Sequence, residues 1–269
     1  MLERTLLSDQ ELGAAVAAVV RIRAKAVRGS DNEFIFLRPG SNEDHLTLFS
    51  LLNRYIPFLT AVMGPLQIPG IDRSPYQQHN SLQIAIKPAG SVGIASLENM
   101  ADPALGQIDP SHNHQREGCP CANYTCLIGI CLQGKTMRRD AGNLYVSKGS
   151  HKILERAFAD MEGHIEWSSS ILHKYDVGTV ASMTPVLLQP GQAVLLQYQT
   201  LQCVGPNLTD VDRIHIYFRL TSTGRPLGCH LHYPPALRDV TLEMPGLVRA
   251  VSSDPAPRPA KRRNRSDCE

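Results

Sequence analysis

The sequence predicts an α+β fold in which helices come first and strands follow. Residues 8–65 carry helix-start signals and apolar residues at helical spacing, whereas short apolar runs between Gly and Pro occupy residues 82–220. We therefore expect one domain over residues 1–250, with a helical buttress at about 1–65 packed on a barrel or sandwich at about 80–222. A tail follows at 251–269.

The first helix is predicted to begin at Ser8. Ser8 and Glu11 match a capping box, in which the Ser hydroxyl accepts from the third helical amide and the Glu side chain reaches back. The Ala-rich stretch that follows should stay helical to about Val27. A second helix should begin near Ser41, and Pro57 should kink or end it because proline lacks an N–H. The apolar stripe expected on this helix is Leu46, Phe49, Leu52, Ile56 and Leu59.

Six short apolar runs predict the strands. The PGQ at 190–192 is typical of a turn, because Pro can hold its first corner and Gly can adopt positive φ. One helical insertion is expected between the strands, from about His151 to Met161. The predicted strands are LQIAIK (82–87), YTCLIGICLQ (124–133), NLYVS (143–147), TPVLLQ (184–189), AVLLQY (193–198) and RIHIYFRL (213–220).

The composition is that of a globular protein with a sizeable core: 42% of the 269 residues are hydrophobic and 19% are charged. The formal net charge of +2 gives no general attraction to nucleic acid or to membranes. The first residues lack the apolar segment of a signal peptide, and no apolar run approaches the length of a membrane span. Seven cysteines without framework spacing are typical of free thiols in a reducing compartment. We therefore expect an intracellular, cytoplasmic protein without nucleic-acid or membrane partners.

The last residues, 251–269, contain no side chain suited to core packing and predict a disordered tail. Four basic residues cluster in this tail: Lys261, Arg262, Arg263 and Arg265. Such a cluster can act as a nuclear-import address or bind acidic partners. The simpler interpretation, a solvated tail that keeps the protein soluble, is the one we favour.

Several segments together resemble the phytanoyl-CoA dioxygenase-like family of Fe(II)/2-oxoglutarate oxygenases. They follow the order of that family and span roughly residues 82–220, and the pair AGNLYVSKGSH and PGQAVLLQY…VGPN…DR makes the resemblance specific. The resemblance implies a double-stranded β-helix (cupin or jelly-roll) barrel. The matching segments are LQIAIK (82–87), GQID (106–109), LIGICLQ (127–133), AGNLYVSKGSH (141–151), LQPGQAVLLQYQTLQCVGPN (188–207) and DVDRIHIYFRL (210–220).

The resemblance also implies positions for the iron and its cosubstrate. In that family a His-x-Asp pair and a distant second His bind iron, and an Arg eleven residues after the second His binds 2-oxoglutarate. Here Gln107 and Asp109 occupy the positions of the pair, Gln202 occupies that of the second His, and Arg213 that of the Arg. An amide carbonyl is a neutral ligand better suited to hard cations than to ferrous iron. We therefore expect Arg213 to hold 2-oxoglutarate or a similar acid, Asp109 to be the one remaining metal ligand, and iron binding to be lost.

Gln83 and Lys87 lie on the strand that, by the same resemblance, places polar residues toward the cosubstrate cavity. They are four residues apart and so share a strand face. Both could bind the cosubstrate, and both could equally occupy a solvated barrel edge. Arg213 has an alternative of its own, a salt bridge to Asp210 or another acid, but we favour an orientation toward the cavity. His215 and Tyr217 should then point the same way as Arg213.

Two further groups have alternative interpretations. His112 and His114 lie near Cys119 and Cys121, which suggests a replacement metal site on ligand type alone, although polar loop histidines are common. Cys203 follows Gln202 on a strand, so its side chain should point away from that of Gln202 and be a buried structural thiol.

Two functions follow. The first is a catalytically degenerate oxygenase homologue that acts as a binding or regulatory module, with a small molecule such as a diacid in the barrel. The second is an active Fe(II)/2-oxoglutarate-dependent dioxygenase (hydroxylase), or an enzyme of altered chemistry in which Asp109 is a metal ligand or general base and Arg213 anchors an acid. Because fold does not determine function, the choice depends on the site.

Overall fold

The structure of the protein is a computed structural model. It describes residues 6–25, 33–37, 42–67, 82–92, 126–153, 183–197 and 200–222. Several sequence predictions fall outside these ranges: Gln107 and Asp109, the loop with His112 and His114, most of the helical insertion and the basic tail.

Helices occupy the amino-terminal part of the described chain. They are α1 (Asp9–Lys25), α2 (Glu43–Ser50), a 3-10 turn (Leu51–Arg54) and α3 (Ile56–Met63). The predicted capping box of α1 is confirmed, because Ser8 Oγ accepts from Glu11 N at 3.3 Å and Ser8 N donates to Glu11 Oε2 at 2.8 Å. Arg54 Nε donates to Glu11 Oε1 at 2.8 Å, so the cap of α1 is also bonded to the 3-10 turn.

The second predicted helix is interrupted before Pro57, as expected. Pro57 lies in the first turn of α3, where its missing N–H leaves no helical hydrogen bond unmade. The expected apolar stripe is only partly right: Leu52 and Leu59 are buried, whereas Leu46 is 57% exposed. The 3-10 turn has three residues per turn instead of 3.6, so it rotates the buried face relative to a continuous helix. The side chains that are buried instead of the predicted ones include Leu48, Leu51 and Tyr55.

No single helix in the described ranges is long and apolar enough to cross a membrane. The segment Glu43–Arg54 and the segment Ile56–Met63 meet the length and composition only together, with a bend of 53° between them. Leu48 and Leu59 on these segments are fully buried in the hydrophobic core, as is Tyr55 between them.

The strands form two antiparallel sheets. The described strands are β1 (Glu33–Leu37), β2 (Leu66–Gln67), β3 (Leu82–Lys87), β4 (Cys126–Gln133), β5 (Leu144–Val146), β6 (Thr184–Val186), β7 (Ala193–Gln197), β8 (Gln202–Val204) and β9 (Arg213–Ser222). The larger sheet has the order β1-β3-β9-β4-β7, with β2 paired to the end of β9, and the smaller sheet has the order β6-β5-β8. This confirms the prediction of helices combined with an antiparallel sheet. Closure into a barrel stays a prediction, and β1 and β2 were not predicted.

The larger sheet has two faces of different chemistry. On β9, Ile214, Ile216 and Phe218 belong to the core cluster that also contains the buried side chains of the helices. The alternate residues of β9 point to the opposite face, which we call the inner face because it looks toward the smaller sheet. The helices therefore cover one face and leave the inner face for a site.

Cross-strand pairing arranges the inner face in four rows, each named after its β9 residue. The members of a row lie side by side across the sheet. The Arg213 row holds Lys87 and Arg213; the His215 row holds Phe34, Ala85, His215 and Cys131; the Tyr217 row holds Phe36, Gln83, Tyr217, Gly129 and Val194; the Arg219 row holds Arg219, Leu127 and Leu196.

The connection from β8 to β9 is organised by Asn207, which is fully buried. Its Nδ2 donates to the backbone carbonyls of Lys87 and Val211, both at 2.9 Å, and its Oδ1 accepts from Thr209 Oγ1 at 2.7 Å. The loop is thereby bonded to itself and to the end of β3, which fixes where β9 begins.

Candidate functional site

A cavity of about 210 Å³ lies between the two sheets. None of the described residues that line it carries a carboxylate, and Arg219 is the one that carries a full charge. The larger sheet contributes Phe34, Phe36, Gln83, Tyr217 and Arg219 among others, and the smaller sheet contributes Leu144, Gln202 and Val204. The arrangement favours a ligand that is largely apolar and carries negative charge.

Gln202 stands at the start of β8 and lines the cavity, paired across the strands with Val146. Its Oε1 is buried and has no hydrogen-bond partner among the described residues. A buried acceptor without a donor costs free energy, so this amide oxygen is an unsatisfied group beside the cavity. The position that the resemblance assigns to the second histidine therefore faces the cavity with an amide.

Gln83 lines the cavity too, in the row of Tyr217. Its Oε1 accepts from Arg219 at 3.0 Å, and the guanidinium carbon of Arg219 lies 6.0 Å from the ring centroid of Phe36. Gln83 therefore holds a cation at the cavity wall. Gln83 is therefore oriented toward the cavity and does not occupy a solvated barrel edge.

The deeper rows of the inner face hold a buried polar cluster of Arg213, His215 and Tyr217. Arg213 Nη2 donates to Tyr217 Oη at 2.8 Å and lies 3.0 Å from His215 Nδ1. Because a guanidinium can only donate, His215 Nδ1 must accept, and a neutral His215 then carries its proton on Nε2. Burial and, after it, the charge of Arg213 hold the pKa of His215 well below its usual value. The expectation that these three side chains share one face is confirmed.

The guanidinium of Arg213 has no carboxylate partner in the described part of the chain. Arg213 is 1% exposed, and both its Nε and the Nε2 of His215 are buried without a hydrogen-bond partner there. The alternative of a salt bridge to Asp210 is wrong, because Asp210 pairs with Lys135 at 2.6 Å. These two hydrogen-bond donors without acceptors, together with the buried positive charge of Arg213, form a site suited to an anion.

Lys87 lies next to Arg213 in the same row and is also 1% exposed. The alternative of a solvated barrel edge is therefore wrong for Lys87. Neither Lys87 nor Arg213 lines the 210 Å³ cavity directly. Tyr217 lines it and bonds Arg213, so its phenol stands between the cavity and the buried cations.

The ring of Tyr217 depends on a glycine on the neighbouring strand. Gly129 is paired with Tyr217, and a Cβ added at Gly129 would lie 2.5 Å from Cε1 of the tyrosine. Such an approach is far inside van der Waals contact, so the tyrosine ring occupies space that any side chain at Gly129 would take. The glycine thus permits the phenol to reach Arg213.

The thiols near the site are structural. Cys203 borders the cavity, but its Sγ lies 3.6 Å from Met183 Sδ, and burial raises the pKa of Cys203 to about 12. Cys131, on the inner face, has a pKa raised by burial to about 11. Neither group ionises near neutral pH, so neither is a ready nucleophile. The prediction of a buried Cys203 is confirmed.

The remaining predicted metal positions, Gln107 and Asp109, lie outside the described residues, as do His112 and His114. Within the described ranges no group of three or more His, Cys, Asp or Glu side chains could hold a metal ion. The proposal that Asp109 is a metal ligand therefore stays a prediction, as does the alternative site in the histidine loop.

The residues of the cavity wall that were not predicted from the sequence include Phe34, Phe36 and Arg219. The alternation of aromatic residues in EFIFL is the signal that could have revealed β1, since residues two apart share a strand face. Arg219 was missed although it lies two residues beyond Tyr217 on the same face.

Comparison with known proteins gives similarity at the level of structure. No protein-family model and no curated protein matches the sequence. Among solved structures, the non-heme alpha-ketoglutarate-dependent carbocyclase SnoK from nogalamycin biosynthesis is similar with a TM-score of 0.56 at 17% identity, over 83% of this chain and 79% of SnoK. HygX from Streptomyces hygroscopicus, solved with nickel and 2-oxoglutarate bound, has a TM-score of 0.50 at 16% identity, over 83% of this chain and 82% of HygX.

These similarities show the fold alone, because the identities are so low. The chain shares its fold with these neighbours, which are 2-oxoglutarate oxygenases with a jelly-roll fold. The narrower resemblance to the phytanoyl-CoA dioxygenase-like group stays a prediction.

Proposed function

We propose that this chain, which has the fold of iron- and 2-oxoglutarate-dependent oxygenases, is a module that binds a small carboxylic acid between its sheets and has lost the iron chemistry. The observation that carries the proposal is the buried guanidinium of Arg213, which has no acidic partner among the described residues. Keeping a cation in a protein interior costs several kcal/mol unless an opposite charge or strong hydrogen bonds compensate. A bound carboxylate would supply that compensation.

2-Oxoglutarate is the acid that the fold suggests, since SnoK is alpha-ketoglutarate-dependent and HygX was solved with 2-oxoglutarate. The polar cluster fits one of its carboxylates: Arg213 Nε and His215 Nε2 are donors without acceptors in the described chain. Tyr217 Oη, bonded to Arg213, lies on the path from the cavity to these donors. A second diacid of similar length would meet the same groups, so the proposal covers this class of ligand.

The side chains at the expected iron-binding positions do not match the ligand set that ferrous iron requires. Gln202 lines the cavity with an amide side chain, and Gln107 supplies a second amide at the other position that the resemblance assigns to a histidine. Ferrous iron in oxygenases of this kind requires two imidazoles and a carboxylate. Asp109 with two amides does not make that set, so we assign no step of chemistry to iron in this chain.

Calorimetric titration with 2-oxoglutarate tests the binding function. We expect measurable binding to the parent protein and a loss of at least about tenfold in affinity for Arg213→Gln, because the counter-charge disappears. Arg213→Lys should retain part of the affinity, since the charge remains without the fork of donors. Arg138→Gln is the matched control, because Arg138 is exposed and pairs with Asp140. Equal affinity in the parent and in Arg213→Gln would contradict the proposal.

The second candidate function is an active dioxygenase, and the structural similarity to SnoK favours it. In that case bound 2-oxoglutarate would be the reductant consumed with dioxygen. Anaerobic addition of Fe(II) and 2-oxoglutarate should then give a visible charge-transfer band, followed by 2-oxoglutarate turnover in air. We expect neither from the parent protein, whereas Gln107→His combined with Gln202→His should gain iron binding. Turnover by the parent would establish the second function and exclude the first.

A further inference from the structure

We propose that the acid bound between the sheets is a diacid that carries a hydroxyl group, and that this hydroxyl is hydrogen-bonded to the amide of Gln202. A carboxylate of the same ligand pairs with Arg213 and His215. The inference narrows the class of diacids named under the proposed function and rests on that function. It gives a role in ligand selection to the position that the resemblance assigns to an iron-binding histidine.

The first support is an unsatisfied acceptor at the cavity wall. Gln202 lines the cavity, and its Oε1 is buried without a hydrogen-bond partner among the described residues. Two other polar side chains of the wall have partners within the chain. Gln83 Oε1 accepts from Arg219 Nη2 at 3.0 Å, and Tyr217 Oη accepts from an Nη2 of its own, that of Arg213, at 2.8 Å. A ligand that donates a hydrogen bond to Gln202 would therefore remove a free-energy cost that the protein bears without it.

The second support is the apolar surroundings of this amide. Gln202 pairs across the strands with Val146, and Val204 follows two residues later on β8. Val204 pairs with Leu144, and both of them line the cavity together with Gln202. A polar atom among apolar side chains has little water with which to bond, so a hydrogen bond from a ligand gains more there than at an exposed surface.

The third support is the hydrogen-bonding chemistry of the amide group. An alcohol hydroxyl donates one hydrogen bond and also accepts, so it suits Gln202 whichever end of the amide meets it. A keto oxygen can only accept, and next to Oε1 it would bring two acceptors together. A methylene group offers no hydrogen bond at all. Among diacids of one chain length, the hydroxylated ones therefore satisfy Gln202 best.

Tyr217 connects the amide to the buried cation. Gln202 belongs to the smaller sheet and Tyr217 to the larger, and both line the same cavity. Tyr217 Oη in turn accepts from Arg213. A ligand between these two side chains therefore has the amide on one side, and on the other the phenol with the Arg213 guanidinium behind it.

The test compares five-carbon diacids that differ in one substituent, by calorimetric titration of the full chain. The probes are glutarate, 2-oxoglutarate, 3-hydroxyglutarate and each enantiomer of 2-hydroxyglutarate. We expect the best-bound hydroxy acid to bind at least about fivefold more tightly than glutarate and than 2-oxoglutarate, because only a hydroxy acid donates to Gln202.

Variants assign the preference to its residue. Gln202→Met replaces the amide with an unbranched apolar side chain and should reduce the preference for a hydroxy acid over glutarate to less than about twofold. Gln202→Leu should do the same, which keeps the test available if the methionine variant folds poorly. Gln10→Met is the matched control, because Gln10 is exposed on α1. Arg213→Gln should weaken the binding of all the acids alike and leave the preference itself unchanged.

A parent protein that binds glutarate or 2-oxoglutarate as tightly as every hydroxy acid would overturn the inference. A preference for a hydroxy acid that both Gln202→Met and Gln202→Leu retain would overturn it too. Neither result contradicts the proposed function if the acids bind less tightly to Arg213→Gln. Failure of the proposed function has a different sign, which is equal binding of the acids to the parent and to Arg213→Gln. Binding of none of the acids would overturn both.

Discussion

At the scale of single residues, two missing groups determine how the polar side chains of the inner face are arranged. Gly129 lacks a side chain, and its absence makes room for the Tyr217 ring. Arg213 lacks an acidic partner among the described residues, and His215 accepts a hydrogen bond from it instead of competing as a cation. The sequence indicated the direction in which Arg213, His215 and Tyr217 point, because alternation along a strand is local. It could not indicate Gly129, since that contact depends on register with β4.

Gly129→Ala should displace the Tyr217 ring, because the new Cβ would lie 2.5 Å from Cε1. The hydrogen bond from Arg213 to Tyr217 would be lost, and we expect 2-oxoglutarate affinity to fall by about tenfold and stability by about 1–3 kcal/mol. Calorimetry and urea unfolding measure both effects. Gly13→Ala is the matched control, since nothing lies within 4 Å of its Cβ position on α1. Parent-like affinity in Gly129→Ala would show that the ring position does not matter.

At the scale of elements, sequence signals worked where they were local. The capping box, the proline break and the alternating strands all depend on residues within a few positions of each other, and all are present in the structure. β1 was missed because it is short and its partner β3 lies about fifty residues further along the chain. The apolar stripe predicted for the second helix was misplaced for a similar reason. The 3-10 turn that shifts the stripe is stabilised by tertiary packing, which local sequence signals do not show.

The capping box of α1 should make stability depend on pH in the acid range. The bond from the Ser8 amide and then that from Arg54 lower the pKa of Glu11 to about 2. A carboxyl whose pKa is lower in the folded state stabilises the fold above its unfolded value, and this stabilisation is lost as pH falls from about 4.5 to about 2. Because Glu11 is partly exposed, we expect a loss of only about 1 kcal/mol for Glu11→Gln at neutral pH.

Urea unfolding of the parent and of Glu11→Gln between pH 2 and pH 7 measures this contribution. The difference in unfolding free energy between the two proteins should shrink toward zero at the acid end. Ser8→Ala removes the other half of the box and should reproduce part of the loss. A constant difference across the pH range would show that the ionised carboxylate of Glu11 is not what stabilises the helix.

At the scale of the whole molecule, the fold class followed from the order of helices and strands, and the structure agrees with it. The cavity did not follow, because it arises where β1, β3 and β9 face β5 and β8 across the interior. Such contacts join residues far apart in the chain. The single-domain organisation, the cytoplasmic location and the solvated basic tail, with nuclear import as its alternative, stay predictions.

Loss of the Arg213 charge should affect the stability of the fold less than it affects ligand binding. Replacing Arg213 by methionine removes a charge that lacks an acidic partner in the described chain, so we expect Arg213→Met to match or exceed the parent in stability, by up to about 1–4 kcal/mol without ligand. The same variant should show no rise in Tm on addition of 2-oxoglutarate, in contrast to the parent. Thermal unfolding with and without the acid measures both. A marked destabilisation would indicate that Arg213 has a structural role.

The hydrogen bonds of Asn207 affect how oxygenases can be recognised from the spacing of residues in their sequences. Its bonds to Lys87, Val211 and Thr209 set the start of β9, and so they also set the eleven-residue separation of Gln202 and Arg213. The loop that spans this separation is therefore held in place by hydrogen bonds within the chain. A search that recognises oxygenases by the spacing would accept a chain after both of its histidines had gone. By the resemblance, the identity of the side chain at the start of β8 is one of the two features that would distinguish an iron-binding chain from this one, and the other is the residue at position 107.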